Sequence, residues 1–214
     1  MLALFWGNIP INAHCQSYWD EFLKQPDNGA LVRLGKNITA GVQRCCPAFY
    51  KVDKLGKSCD LGNPENRKVI PTEEQDFQLF ELISKGNEVA FRAGLLLATS
   101  KCLDGGELED LYRSLGLFFE TQPRVFLQTV KDKSITDSNL KSMLVMLPLE
   151  TTDKIDLKMF MIKNRISILE NISDGLLKGI KEKGLSFLSK AKENLDRIKV
   201  EIDKANGQDS DKTD

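Results

Sequence analysis

Residues 107–123, Glu-Leu-Glu-Asp-Leu-Tyr-Arg-Ser-Leu-Gly-Leu-Phe-Phe-Glu-Thr-Gln-Pro, decide the fold class. Leu108, Leu111, Tyr112, Leu115, Phe118 and Phe119 fall at i, i+3, i+4, i+7, i+10 and i+11, which is one stripe of a 3.6-residue helix. Pro123 suits the first turn of a following helix, where its missing N–H costs nothing. Phe126, Leu127 and Val130 then form that helix's apolar face.

The same pattern extends in both directions. Upstream, Thr72 with Gln75 forms a capping box, and Glu73 and Glu74 suit the positive end of a helix dipole. Phe77, Phe80 and Ile83 follow at helical spacing, widened by Leu79 and Leu82, and Gly86 is a left-handed stop. Asn87 can cap a second helix bearing Val89, Ala90, Ala93, Leu96, Leu97 and Cys102. Its Leu95-Leu96-Leu97 run predicts burial on more than one side, and Gly105-Gly106 is expected to end it. Downstream, a helix starting near Asp137 carries Leu140, Met143, Leu144 and Leu147 and stops at Pro148. Another runs from about Asp153 to Ile172 with Ile155, Met159, Ile162, Ile166 and Leu169 on one face.

The connections are short, so consecutive helices are antiparallel neighbours. Hairpin starts near residues 72, 107 and 137 give an irregular period of roughly 30–35 residues. The expected fold is all-α: tandem antiparallel helical hairpins, or an irregular bundle, followed by a long amphipathic C-terminal helix. The run from Thr72 to Ile172 resembles a short HEAT-type helical array. It is also similar to exported bacterial helical proteins with a Leu-Pro-Leu-Glu step, here Leu147 to Glu150. That resemblance implies a helical fold and export, and carries no known activity.

The chain divides into an apolar arm or signal-peptide remnant over 1–13, a cysteine-bearing hairpin and loop over 14–71, the array over 72–173, a long helix over 174–206 and a polar tail over 207–214. At 214 residues it can bury a real core. No apolar run approaches the ~20 residues of a membrane span. Charge is balanced: nine basic against six acidic side chains over 1–70, twelve against sixteen over 71–173, and nine of each over 174–214. No block has the positive excess that phosphate neutralisation needs, which argues against nucleic acid as a partner.

No charged side chain precedes Asp20, while Leu2, Leu4, Phe5, Trp6, Ile9 and Ile11 are apolar. One reading is a signal-peptide remnant cleaved after Ala13; the other is a buried N-terminal arm. The absent basic n-region, Pro10 and the short apolar core count against the signal peptide, and the cysteines decide between the two. In the next unit Asn12 can cap a helix bearing Cys15, Tyr18, Trp19, Phe22 and Leu23. The turn Pro26-Asp27-Asn28-Gly29 leads to a second helix with Leu31, Leu34, Ile38, Val42 and Cys45 in line. A hairpin folded there brings Cys15 towards Cys45 or Cys46, and leaves Cys59, in the loop over 51–71, to take the other. Such staples imply a periplasmic or secreted protein; five reduced thiols would imply a cytoplasmic one. Cys102 reads as a free core thiol. His14, Cys15, Cys45, Cys46 and Cys59 lack the C-x2-C pairs of zinc sites.

Reaction chemistry is missing. The single histidine, His14, would have to be base, triad orienter and ligand at once, and it cannot easily bond the adjacent Cys15 on a helix. Gly29 to Lys36 has five residues between its glycines where a phosphate loop has four. Gly56-Lys57-Ser58 lacks the upstream glycine. Glu73-Glu74 and Glu109-Asp110 fit helix-start and solvent-face roles. We therefore expect no enzyme, no cofactor and no metal site.

After Gly175 the apolar positions Leu177, Ile180, Gly184, Phe187, Ala191, Leu195, Ile198 and Ile202 step by threes and fours over nearly four heptads. Lys178, Lys181, Lys183, Lys190 and Lys192 face one acid, Glu182, over residues 178–192. Three uses stay open: packing on the body, a partner seam at Leu195, Ile198 and Ile202, or a membrane surface. The expectation is a first half on the body and a second half open to a protein partner. The whole then reads as a non-enzymatic, exported protein that binds other proteins, or as a cytosolic one assembling through this helix.

Overall fold

A computed structural model describes residues 17–44, 71–100, 103 and 105–209. Among the described residues the chain is all-α, with nine α-helices, two 3-10 turns and no strand. The helices are α1 (Ser17–Lys24), α2 (Asn28–Arg44), α3 (Glu73–Ser84), α4 (Glu88–Ser100), α5 (Gly105–Thr121), α6 (Pro123–Asp132), α7 (Asp137–Val145), α8 (Ile155–Glu170) and α9 (Lys178–Asp209).

Local chemistry sets most boundaries. The Thr72 hydroxyl accepts from Gln75 N at 3.3 Å while Gln75 Oε1 accepts from Thr72 N at 3.0 Å, so the capping box starts α3. Gly86 ends the turn after α3 at φ 85°, a conformation that costs a side chain and costs glycine little. Asn87 Oδ1 accepts from Ala90 N at 2.9 Å and opens α4. Asp27 does the same for α2, accepting from Ala30 N at 2.8 Å. The expected turn at Pro26–Gly29 thus ends at Asp27, and Gly29 lies in the first helical turn. Likewise Gly105 and Gly106 begin α5 and do not terminate α4, which is described to Ser100 and has given way to a bend by Leu103.

The core runs continuously from Trp19 and Phe22 to Leu188. Helix α5 presents the face read from its sequence: Leu111, Tyr112, Leu115, Phe118 and Phe119 are buried. Helix α4 is buried on several sides, through Ala90, Phe91, Leu95 and Leu97 among others. Phe91 stacks on Phe118 at 4.0 Å between centroids, and Phe126 meets Phe91 at 5.5 Å and Phe119 at 5.3 Å. Helix α3 differs from expectation: Asp76, Leu79 and Ile83 face inward and Phe77 is 71% exposed. Steps of three and four keep pace with the helix, whereas 77-80-83 advances by threes and drifts off the face.

Helices α1, α3, α5, α7 and α9 touch in succession, and α2 packs on α4. Sequential neighbours complete the layer: α1 on α2, α3 on α4, α4 on α5, α5 on α6, and α8 on α9. The C-terminal helix therefore closes the end of the stack opposite α1.

Candidate functional site

Helix α9 is seated by one glycine. A Cβ on Gly184 would lie 2.9 Å from Leu169 Cδ1 and 3.1 Å from Leu144 Cδ1, so α9 rests directly on α8 and α7. Leu177 and Leu188 are buried around it. The sequence stripe put Phe187 in that line; the structure buries Leu188 and leaves Phe187 half-buried. Lys181 Nζ donates to the carbonyls of Glu170 (2.9 Å) and Ile172 (2.7 Å), covering the C-terminal end of α8. Lys183 pairs with Asp137 at 2.8 Å, and Lys131 donates to Leu176 O at 2.9 Å. Two lysines of the basic run are thus committed to docking the helix.

Further along, the environment of α9 changes. Lys199 pairs with Asp156, the second residue of α8. The two helices are antiparallel, so residues from Val200 onward continue past the start of α8, by roughly 15 Å at 1.5 Å per residue. Leu195 is half-buried and lines a cleft of about 340 Å³ with Leu147, Pro148 and Ile162. Ile198 and Ile202 follow at 43% and 41% exposure, with Val200 also exposed. The three candidate seam residues thus form a stripe that leads out of a cleft onto open helix.

The most elaborate polar constellation lies beneath. Arg165 is fully buried. Its Nε donates to Glu120 at 2.7 Å, and its Nη1 donates to the carbonyls of Leu144 (2.8 Å) and Met146 (2.9 Å). These are acceptors left over at the end of α7. Burial lowers the guanidinium's pKa and the charge of Glu120 opposes the shift. Nη2 is buried without a hydrogen-bond partner. Through these contacts the arginine ties α5, α7 and α8 together. Sequence reasoning passed over it, although a charged residue between Ile162 and Leu169 on the inner face was the available signal.

A second buried charge was also missed. Asp76 on α3 is buried, and desolvation, helped by Glu107 at the start of α5, pushes its carboxyl up to about 7. Its Oδ1 is buried without a hydrogen-bond partner. The groups are 31 residues apart in sequence, too far for local pattern to pair them. Neither the cleft at Leu195 nor the larger groove beside α2 includes Asp76 in its lining.

Cys15, Cys45, Cys46 and Cys59, proposed as disulfide partners, lie outside the described residues, as do Cys102 and His14. Among the described residues no helix is long and apolar enough to cross a membrane, and no cluster of His, Cys, Asp and Glu is placed to hold a metal ion. No family model, curated protein or solved structure matches the chain.

Proposed function

We propose that this chain is a non-enzymatic, exported helical protein that docks a protein partner along the outer end of α9. The exposed stripe of Ile198 and Ile202, continuous with the cleft at Leu195, carries the reading. A partner helix laid on that stripe would place one apolar side chain against Leu147, Pro148 and Ile162, the helix-in-groove mode of recognition. The succession α1–α3–α5–α7–α9 supports a helical array, a scaffold that presents long faces to other proteins. The use of Lys181 and Lys183 in seating α9 weighs against a membrane-surface role for the basic run.

A photo-crosslinking residue at position 202 of the full chain, with a second probe at exposed Lys163 as control, tests the docking surface. The position-202 probe is expected to trap another polypeptide, and the control is not. Equal adducts from both positions, or none from 202, would remove the docking assignment. Export has its own check: with Cys15, Cys45, Cys46 and Cys59 paired, about one free thiol of five remains after denaturation without reductant. Five free thiols point instead to the cytosolic reading, with assembly through the same helix.

A further inference from the structure

A groove of about 640 Å³ opens between α2, α4 and the turn from α6 to α7. That volume lies within the ~300–1,000 Å³ of small-ligand clefts. Its walls are Leu31, Leu95, Leu96 and Ile135, and Val32, on its α2 side, is 57% exposed. Ser134, at φ 50°, is the one non-glycine with positive φ among the described residues; it turns the chain so that Ile135 reaches the groove.

The polar groups present are selective. Thr99 Oγ1 already donates to Leu95 O (2.9 Å) and Leu96 O (3.1 Å), and Thr136 Oγ1 accepts from Asn139 N at 3.2 Å. Two cations remain. Arg92 engages Glu88 through Nη2 and leaves a buried Nε without a partner; Lys133 makes no ion pair among the described residues. Among the described residues no carboxylate lines the groove, and Glu88 stands beside it as the partner of Arg92. Apolar walls with one cation, Lys133, outside any ion pair among the described residues suit a ligand that is apolar along its length and anionic at one end.

We propose that this groove binds a free single-chain carboxylate of the fatty-acid class, its chain along Leu31, Leu95 and Leu96 and its carboxylate at Lys133. Gly35 shapes the floor: a Cβ there would lie 3.4 Å from Leu96 Cδ1, so a larger side chain fills the space the ligand chain would use.

The test is calorimetric titration of the full chain with decanoate and with decyltrimethylammonium, two soluble amphiphiles of equal chain length and opposite charge. Decanoate is expected to saturate one site and to bind at least tenfold more tightly than the cation. Lys133→Gln should cut that preference several-fold with an unchanged circular dichroism spectrum, because the side chain is exposed at a helix end. Gly35→Leu should abolish saturable binding of both. Equal affinity for the two head groups, or decanoate binding unaffected by Gly35→Leu, overturns the proposal. Sedimentation with phosphatidylglycerol vesicles separates the other source of an anionic head. Vesicle binding that Gly35→Leu leaves intact, without a decanoate site, assigns the attraction to a membrane surface and also overturns it.

Discussion

A Cβ placed on Gly116 would stand 3.0 Å from Nη2 of Arg165 and 2.5 Å from the carbonyl oxygen of Met143. The glycine of α5 and the arginine of α8 are therefore complementary: the guanidinium reaches the end of α7 only because position 116 has no side chain. Gly116→Ala should destabilise the protein by roughly 1–3 kcal/mol through overpacking. Helix propensity alone predicts a gain of about 1 kcal/mol, so the sign of the shift in thermal midpoint decides between them.

The Arg165–Glu120 pair makes an asymmetric prediction. Glu120→Ala leaves a buried guanidinium without its counter-charge and should cost about 3–5 kcal/mol. Arg165→Met, which removes the buried charge and fills similar volume, should cost clearly less, because desolvation of the ion pair offsets much of its attraction. Denaturant midpoints measure both. A more damaging Arg165→Met would mean that the carbonyls of Leu144 and Met146 depend on the arginine more than the ion pair does.

Asp76 sets a pH dependence. Its folded pKa of about 7 lies above the ordinary 3.8, so the fold favours the neutral acid. The unfolded chain loses this proton first as pH rises. The stabilisation is therefore complete below about pH 4, declines between about 4 and 7, and is gone above 7. Relative to the native chain, Asp76→Asn should become progressively more stable across that window and level off beyond it. A difference that does not vary with pH would show that Asp76 is not held neutral.

The seating of α9 predicts an order between adjacent residues. Leu188 is fully buried, so Leu188→Ala should cost about 2–5 kcal/mol. Phe187→Ala, though it deletes a larger side chain, should cost less because Phe187 is only half-buried. The reverse order would rotate α9 by one residue and restore the stripe drawn from sequence.

Caps and stripes were legible because they are local: Thr72 with Gln75, Asn87, Gly86, Pro123 and the face of α5 each act within one or two turns of helix. What escaped was set by tertiary contact. Phe77 looked like core because it is aromatic and helically spaced, but α5 packs against the Asp76–Leu79–Ile83 side of α3. Gly184 stands in the sequence as one position of the stripe and is the point at which α9 meets α8 and α7. Arg165 and Gly116, a charge on an apolar face and a glycine inside a helix, drew no reading from sequence and make sense only together. Of the candidate seam, the spacing of Leu195, Ile198 and Ile202 was visible in sequence. The place where α8 begins, at Ile155 beside Lys199, fixes where the body ends, and spacing within α9 carries no trace of it.

The division of α9 into a seated half and an outward half is tested most directly by the thermal midpoint of two truncations. A chain ending at Lys199 keeps Leu177, Gly184, Leu188 and the pair with Asp156, and should melt within about 2 °C of the full chain, a difference below roughly 1 kcal/mol for a protein of this size. A chain ending at Asp174 exposes the seat of two buried leucines and should lose more than about 3 kcal/mol. A large loss on ending at Lys199 would show that Ile202 and its neighbours hold the fold together and are not kept for a partner.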